Sequence, residues 1–321
     1  MEERPLVSII VVTYNSSPYV TDTLESVAAQ TYSNYELIIT DDCSTDNTVE
    51  VCRQWIRDHS EVGQRIELIL ADKNTGVAGN NNRGLAVAKG LWLKFIAGDD
   101  MLAPNAIEDY ISFVQKNPNV RHLIANAIHF KGSLKDSDFD NRRIVSPFLF
   151  REEVTAKYQY SVITKTFFGS GPTYFIHSQT LKEVGGFDER FPMQEDYPLY
   201  IKMIGHGYKM ELLDAITVYK RMVETSLQYD KNDDAFFSKN QVRIVRDYQY
   251  KYREEALPPI WRLLHYYSLF LQNTIIRLGN TKKSLKCKIA FFVYKLTDPF
   301  VWYSRFLARK KSRYNRRVNN D

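Results

Sequence analysis

The side chains best suited to chemistry in this sequence are carboxylates, which occur as three adjacent pairs: Asp41-Asp42, Asp99-Asp100 and Glu195-Asp196. The first two pairs each follow a short apolar run, residues 35–40 and 91–96, that is typical of a buried strand. Carboxylates at the carboxyl ends of parallel strands face the ligand crevice of an open α/β sheet. Two like charges side by side are costly without a cation or hydrogen-bond donor nearby. The pairs therefore predict a divalent metal or another ligand.

Strands and helices must alternate to position these pairs. Apolar runs predict four strands, at residues 6–12, 35–40, 66–71 and 91–97. Amphipathic patterns predict helices at residues 19–30 and 47–59, and the polar segment 72–82 precedes a helix that ends near residue 89. A further helix and strand are predicted at residues 106–115 and 122–130. This order predicts an α/β fold in which a mainly parallel sheet carries helices on both faces.

Composition limits the class of protein. With 321 residues, 44% hydrophobic and 25% charged, the chain can bury one large core or two smaller ones. The net charge of +5 comes from the C-terminal segment, since residues 277–321 hold thirteen Lys or Arg and two Asp. Three cysteines without a CxxC pair favour a reducing compartment and argue against a disulfide framework or zinc site.

Targeting signals are not evident in the sequence. The apolar stretch near the start ends at Thr13, which is too short for a secretory signal. Nowhere does an uncharged apolar stretch reach the roughly 18 to 20 residues that a membrane-spanning helix needs. We therefore expect a cytoplasmic protein that is soluble or bound peripherally to a membrane.

Six short motifs resemble, in order and spacing, a family 2 glycosyltransferase of the GT-A fold, the inverting, bacterial polysaccharide type. They cover roughly residues 5–225 and lie at 7–15, 41–46, 74–76, 98–100, 184–189 and 194–196. Each motif is weak alone, but six in order are unlikely by chance. The resemblance implies a donor half at residues 1–102, an acceptor and catalytic half at 103–228, and a helical basic-aromatic extension at 229–321.

The resemblance implies that a nucleotide-sugar donor, expected to carry UDP, binds near the first two strands. Asp42 would accept the ring N–H of the base, and Thr13 and Tyr14 would frame the base and ribose. The full set of donor-binding residues that we predict is Thr13, Tyr14, Asn15, Asp42, Asn74, Gly76, Arg83 and Asp99. The structural alternative is that residues 41–46 form a helix-capping loop, which Asp and Ser also favour.

Asp99 and Asp100 match the family's acidic metal motif, which implies Mn²⁺ or Mg²⁺. Hard oxygen ligands suit these ions, and the metal would act as a Lewis acid on the leaving diphosphate. The chain departs from the family in carrying Ala97 where many relatives have another Asp, and Asn81 where they have Arg. It also lacks the His that often follows residues 219–221, and Glu224 is a possible substitute ligand.

The resemblance assigns the catalytic base to Asp196, with Glu195 orienting it or binding the acceptor. In an inverting displacement, the base takes the proton of the acceptor hydroxyl as that oxygen attacks the anomeric carbon. The structural alternative is a helix N-terminus, where acidic residues are favoured, and both interpretations can hold together. Residues 167–171 are candidates for the acceptor side, although an aromatic pair is more often core.

Residues 261–317 combine aromatic side chains with clustered Lys and Arg. This composition favours an amphipathic surface on an anionic membrane, which would bring a lipid-linked saccharide acceptor to the enzyme. Packing against the catalytic body is the main alternative, and nucleic-acid binding is the least favoured. Two functional alternatives remain open. One is a non-catalytic glycan or nucleotide-sugar binder, and the other is a nucleotidyltransferase, which would need a basic Gly-rich loop after the first strand.

Overall fold

The computed structural model describes residues 4–59, 65–132, 134, 147–169, 171–223, 234–246 and 251–318. The chain divides into two compact units. The first comprises Met1–Val145, Glu152–Gln159 and Gly169–Met222, and the second comprises Ser146–Arg151, Tyr160–Phe168 and Val223–Asp321. The predicted division at residues 102 and 103 concerns the roles of two halves of the first unit, and it stays a prediction.

The first unit contains the sheet. Its strands are β1 (Val7–Thr13), β2 (Tyr35–Asp41), β3 (Ile66–Leu70), β4 (Trp92–Ala97), β5 (Met101–Leu102), β6 (His122–Phe130), β7 (Phe175–His177) and β8 (Met210–Arg221). Its helices are α1 (Val20–Ala28), α2 (Thr48–Asp58), α3 (Gly76–Val87), α4 (Ala106–Lys116), α6 (Ser178–Glu183) and α7 (Asp196–Gly205). Helix α5 (Ala156–Ile163) is shared between the units.

The eight strands form one sheet in the order β3-β2-β1-β4-β7-β6-β8-β5. Strands β1 to β4 are parallel to one another, β6 is parallel to β8, and β5 and β7 are antiparallel to their neighbours. The sequence prediction of a mainly parallel sheet is thus confirmed. Because β1 has β2 on one side and β4 on the other, the strand order reverses there, where open α/β sheets bind ligands.

Alternation along β1 explains why helices cover both faces of the sheet. Ile9 and Val11 are fully buried in the core cluster that includes Leu24 of α1. Ile10 points to the opposite face, where Gly84 of α3 approaches so closely that an added Cβ would lie 2.4 Å from the Ile10 Cγ2 atom. Successive residues of a strand face opposite sides, so one apolar strand packs against two helical layers.

Helix α3 begins at Gly76. The sequence predicted that this helix would begin only after the polar segment 72–82, and that prediction was wrong. The helix lacks a local side-chain cap. Instead, the carboxylate of Asp42 accepts the N–H groups of Thr75, at 3.0 Å, and Gly76, at 2.7 Å. A distant carboxylate therefore satisfies donors that a helix N-terminus leaves unpaired.

The second unit is helical in its described part. Its helices are α8 (Lys239–Arg246), α9 (Lys251–Ala256), α10 (Pro259–Arg277), α11 (Leu285–Thr297) and α12 (Pro299–Val318). A small core joins α8, α10 and α11, in which Phe237, Val245, Ile275 and Ile276 are buried against partly buried rings such as Phe291. Among the residues that the structure describes, no helix has both the length and the apolar character needed to cross a bilayer.

Candidate functional site

The strand register brings the ends of β1, β2 and β4 to one edge of the sheet. Thr13 lies beside Asp41, and Val12 lies beside Ala97. The carboxylate of Asp41 accepts hydrogen bonds from the Thr13 hydroxyl at 2.8 Å and from the Ser44 N–H at 2.8 Å. Asp41 therefore stabilises the loop after β2, as the capping interpretation expects, and leaves its neighbour Asp42 to face α3.

Asp42 connects the end of β2 to the start of α3. Besides the two backbone N–H groups, its carboxylate accepts the Thr75 hydroxyl at 2.7 Å and the Arg83 Nη2 at 3.2 Å. Arg83 also donates to Asn80 at 2.7 Å and to Thr75 at 2.9 Å. These bonds occupy the lone pairs that a carboxylate offers. A donor base that bonds Asp42, or a diphosphate that bonds Arg83, would have to replace part of this network.

Tyr14 and Asn15 follow β1 and border the same loop. The Tyr14 side chain is 49% exposed, so its ring is open to a planar ligand. Asn15 has a φ of +49°, a conformation that Asn tolerates better than most residues. Its side-chain oxygen accepts the Thr45 N–H at 2.8 Å, and its own N–H donates to the Ser44 hydroxyl at 2.8 Å. Asn15 thus holds the loop that places Tyr14.

The Asp99-Asp100 pair lies in the turn after β4 and is held by Arg221 at the end of β8. The Arg221 N–H donates to Asp100 Oδ1 at 2.9 Å, and its Nε donates to the Asp99 carbonyl at 3.1 Å. Thr23 of α1 donates to the Asp100 carbonyl at 2.7 Å. Burial raises the pKa of Asp99, and burial together with the Asp99 charge raises that of Asp100. The turn thus holds two carboxyl groups whose ionised forms are poorly stabilised by solvent.

The rest of the Arg221 guanidinium fixes that turn to the surrounding structure. Its Nη2 donates to Asp22 of α1 at 2.6 Å, and its Nη1 donates to the Gly132 carbonyl at 3.0 Å. The group also lies over the rings of Tyr19, at 5.0 Å, and Phe130, at 4.7 Å. Since the planar fork of arginine serves several acceptors at once, Arg221 sets the position of the acidic turn. Nothing in the local sequence signals this role.

The donor set at the acidic turn fits a hard divalent cation. Two carboxyl groups with raised pKa values would be stabilised in their ionised forms by a metal. In the described part of the chain, no group of three or more His, Cys, Asp or Glu could hold a metal. The remaining ligands would have to be oxygens of the donor diphosphate and water, as Mg²⁺ often uses. Glu224, the suggested extra ligand, lies outside the described residues.

Glu195 and Asp196 stand at the start of α7, so the helix-terminus interpretation is correct in its geometry. Asp196 Oδ1 accepts the Tyr197 N–H at 2.7 Å. Both side chains are half-buried, but their carboxyl groups lie deep enough for burial to raise both pKa values. For Glu195 the charge of Asp196 adds to the effect, and the pKa rises to about 8. A helix N-terminus and a pair of perturbed carboxyls coincide here.

The segment before Glu195 contacts the donor side directly. At Gly76, where φ is +79°, an added Cβ would lie 2.5 Å from Pro192, and the Val77 N–H donates to the Pro192 carbonyl at 2.7 Å. Asn82 of α3 exchanges two hydrogen bonds with the Phe187 backbone, at 2.8 and 2.9 Å. The two parts of the predicted site therefore adjoin, although more than a hundred residues separate them in sequence.

Lys220 of β8 links the two acidic pairs electrostatically. Its charge lowers the pKa of Asp99, Asp100, Glu195 and Asp196, against the effect of their burial. The charge of one cation therefore acts on both pairs. In the sequence, residues 219–221 mark only the place of a missing His, so Lys220 was not among the predicted site residues.

A buried polar cluster lies within electrostatic reach of Glu195 and Asp196. Lys94 of β4 is fully buried, its amino group donates to the Pro172 carbonyl, and burial lowers its pKa to about 7. Lys94 Nζ lies 6.0 Å from the centre of the Tyr174 ring. Burial raises the pKa of Tyr174, and the charges of Glu195 and Asp196 raise it further. A lysine inside an apolar strand was the sequence signal that could have revealed this cluster, because a buried cation needs partners.

Two other sequence indications have clear outcomes. Asn81, at the position where relatives carry Arg, is buried, and it lowers the pKa of the neighbouring Tyr174. Neither of its amide atoms makes a hydrogen bond of normal geometry. Phe168 is buried against Phe150, with ring centroids 5.9 Å apart, whereas Phe167 is 43% exposed, so the core interpretation of the aromatic pair holds for Phe168 alone. Ser170 lies outside the described residues.

Comparison with known proteins agrees with this geometry. The sequence model for glycosyl transferase family 2 matches residues 8–171, just over half of the chain. The UDP-Glc:alpha-D-GlcNAc-diphosphoundecaprenol beta-1,3-glucosyltransferase WfgD of Escherichia coli is 28% identical over 279 residues, which cover 87% of this chain and 98% of that protein.

Solved structures show the same architecture. S. aureus TarS 1-349 in complex with UDP-GlcNAc aligns with a TM-score of 0.57 and 20% identity, over 91% of this chain and 81% of that 1-349 chain. The mannosyltransferase PcManGT from Pyrobaculum calidifontis, in complex with GDP-Man and Mn²⁺, aligns with a TM-score of 0.53 and 16% identity, over 97% and 76%. Identities this low establish the fold alone. Together with the family match, they show that this chain belongs to glycosyl transferase family 2 and is a glycosyltransferase with the GT-A fold.

Proposed function

We propose that the enzyme is a metal-dependent, inverting hexosyl- or N-acetylhexosaminyltransferase that uses a UDP-sugar and acts in cell-surface polysaccharide synthesis. Its acceptor would be a saccharide carried on a lipid. The observation that carries the proposal is the direct contact between α3, whose start Asp42 holds, and the segment that leads to Glu195-Asp196. The Asp99-Asp100 pair follows the neighbouring strand β4, and the charge of Lys220 acts on both acidic pairs. One pair suits the leaving diphosphate and the other suits the attacking hydroxyl.

The donor would bind across the edge formed by β1, β2 and β4. Tyr14 offers an exposed ring to the base, and Asn74 and Gly76 lie beside Asp42 at the start of α3. The first N–H groups of α3 already donate to Asp42 and Pro192, so the start of this helix would attract the donor's phosphates through the positive end of its dipole. A relative crystallised with UDP-GlcNAc and one named for its use of UDP-Glc both support UDP as the donor nucleotide.

Asp99 and Asp100 would hold the Mn²⁺ or Mg²⁺, which when bound supplies Lewis-acid stabilisation of the leaving diphosphate. The Mn²⁺ in the PcManGT complex supports this assignment. Lys220 adds a fixed positive charge to the same region, and Arg221 keeps the carboxylates in place. Asp196 would accept the proton of the acceptor hydroxyl, so that the oxygen attacks as the bond to the diphosphate breaks.

The comparison with WfgD also supports the proposed acceptor and location. WfgD is named for transfer to GlcNAc-diphosphoundecaprenol, a lipid-linked saccharide, and this chain covers nearly all of its length. An enzyme that acts on such an acceptor would work peripherally at the inner face of the cell membrane. The three free cysteines, two of them buried, fit the reducing environment of the cytoplasm.

Nucleotide binding can be tested by thermal unfolding with UDP, GDP, dTDP and CMP, each with and without Mn²⁺. We expect UDP to raise the melting temperature most, and Mn²⁺ to increase that effect. At a hundred times its dissociation constant, a ligand stabilises the fold by about 2.7 kcal/mol. Asp99→Asn should lose the Mn²⁺-dependent part, whereas Asp58→Asn, on the exposed end of α2, should keep it. A larger shift with GDP, or none with any nucleotide, would contradict the proposed donor.

The pH dependence of transfer tests the base and its neighbouring cation. Because burial raises the pKa of Asp196, activity should fall on the acid side at a pH above the ordinary range for an aspartate. Lys220 lowers this pKa, so Lys220→Met should raise it further and move the acid limb of kcat/KM to higher pH. Lys209→Met, which removes a lysine paired with Glu211 on the same segment, should leave the limb in place. If the acid limb of kcat/KM in Lys220→Met stays in place or moves to lower pH, the electrostatic role of Lys220 is contradicted.

A further inference from the structure

We infer that helices α10, α11 and α12 of the second unit form a docking face for an anionic lipid bilayer. This inference rests on the proposed function only for its lipid-linked acceptor, and the physical argument is independent of catalysis. It depends on three observations: a continuous set of exposed apolar side chains, an aromatic cleft among them, and exposed cations around them.

Helix α11 has an apolar stripe on its exposed side. The stripe consists of Leu285, Ile289, Phe292, Val293 and Leu296, which recur at the spacing of one helical face. Leu285 is 71% exposed and Phe292 is 62% exposed. A helix in a water-soluble core turns such a stripe inward. Here the inward side is a different set of residues, which includes the fully buried Cys287 and the half-buried Phe291.

Helices α10 and α12 extend the apolar surface. Their exposed apolar residues are Ile260, Leu263, Tyr266, Tyr267 and Phe270 on α10 and Trp302 and Phe306 on α12. Two hydrogen bonds join these surfaces to α11. The Tyr267 hydroxyl donates to Thr297 at 2.9 Å, and the Trp302 indole N–H donates to the Leu296 carbonyl at 2.6 Å. The exposed residues near these bonds therefore belong to one face rather than to separate patches.

A cleft of about 470 Å³ opens on this face. Its walls include Trp261, Leu296, Trp302, Tyr303 and Phe306, and they are almost entirely apolar. This volume lies within the range of small-molecule sites in proteins, roughly 300 to 1,000 Å³. An apolar cleft beside exposed aliphatic residues can accept hydrocarbon from the outer part of a bilayer.

Cations surround the apolar residues. Lys286, Lys288 and Lys295 are exposed on α11, and Arg305 and Arg309 are exposed on α12. Lys165 lies over the rings of Trp261, at 4.9 Å, and Tyr303, at 5.3 Å, beside the cleft. Residues 285–318, which form α11, α12 and their junction, contain a single acidic residue, Asp298, and it is buried. Lysine and arginine beside exposed rings and aliphatic side chains complement lipid phosphates at the bilayer interface.

The aliphatic residues decide between a bilayer and a nucleic acid. Lys, Arg and aromatic rings could serve either partner, since nucleic acids also present phosphates and stacking surfaces. Leu285, Ile289, Leu296, Ile260 and Leu263 gain nothing from phosphate or sugar, but they lose contact with water when they enter hydrocarbon. We therefore assign the face to a membrane.

Vesicle sedimentation of the full-length protein tests this assignment. We expect binding to vesicles that contain phosphatidylglycerol and much weaker binding to pure phosphatidylcholine. The double variant Ile289→Glu with Phe292→Glu should reduce binding by at least about tenfold, because it puts charge into the apolar face. The matched control is Leu91→Glu, an exposed leucine of the first unit, which should bind like the wild type.

Three outcomes would overturn the inference: no binding to anionic vesicles, equal binding of the double variant and the wild type, or equal loss in the Leu91 control. Tight binding of a single-stranded oligonucleotide without vesicle binding would instead assign the face to nucleic acid. The double variant should keep the melting temperature and the UDP-dependent shift of the wild type. If vesicle binding holds while UDP produces no shift, the proposed donor fails and the docking face stands.

Discussion

Asp196→Asn is expected to lower sugar transfer by about 10² to 10⁴-fold, the usual contribution of a general base. Asparagine keeps an oxygen that can accept the Tyr197 N–H, so the start of α7 should remain intact. It cannot accept the proton of an attacking hydroxyl. Binding of UDP should therefore be unchanged, since Asp42, Tyr14 and Gly76 are untouched. Single-turnover transfer and UDP-dependent thermal stabilisation measure the two effects separately.

Glu195→Gln is the informative comparison for this experiment. Burial and the neighbouring Asp196 charge raise the pKa of Glu195 to about 8, so Glu195 is mostly protonated at neutral pH. A neutral glutamine imitates that state, and activity should stay within about tenfold of the wild type. If Asp196→Asn keeps transfer and Glu195→Gln loses it, Glu195 is the base and Asp196 is not. Transfer that survives both changes would exclude this pair as the source of the base.

Arg221→Met is expected to lower the transfer rate by about 10²-fold, although the residue is a positioning group and not a member of the reacting set. Its guanidinium holds the Asp99 carbonyl, Asp22 and the Gly132 carbonyl at once. Loss of these bonds releases the acidic turn, and a displacement of about 1 Å can reduce a rate by that factor. The Mn²⁺ concentration for half-maximal activity and the KM for the donor should both rise.

Stability should fall in the same variant, by about 2 to 3 kcal/mol, because hydrogen bonds of a charged group are lost from a buried position. Arg221→Lys should recover part of the stability, because it keeps a cation near Tyr19 and Phe130. It should recover little activity, because an ammonium group cannot reproduce the fork. Arg190→Met removes an exposed arginine paired with Asp188 and serves as the control. If Arg221→Met is destabilised but the folded enzyme keeps its kcat, KM and Mn²⁺ requirement, the role is structural only.

Local patterns were enough to predict the elements that carry the site. Strands β1, β2 and β4 end where their apolar runs end, and parallel strands necessarily place Thr13, Asp41 and the residues after Ala97 at one edge. The prediction that acidic pairs lie at the carboxyl ends of strands depended only on this geometry. The family and fold predicted from six motifs are confirmed, whereas the roles of individual site residues stay predictions.

The unpredicted features all depend on partners that are distant in sequence. The start of α3 is stabilised by Asp42, which is 34 residues before Gly76. Arg221 reaches Asp99 across 122 residues, and its neighbours in sequence give no sign of that contact. In the second unit, the sequence indicated rings and cations, but which side of α11 remains exposed is decided by packing against α10 and the short core around Phe237.

The contact between Gly76 and Pro192 has a mechanical consequence. The start of α3 and the segment leading to Asp196 touch directly through the Val77 N–H and the Pro192 carbonyl, and Asn82 adds a second connection at Phe187. These bonds bypass the sheet. A shift of α3 would therefore be transmitted directly to the segment that leads to Glu195 and Asp196. This contact could therefore influence the order in which the two substrates bind.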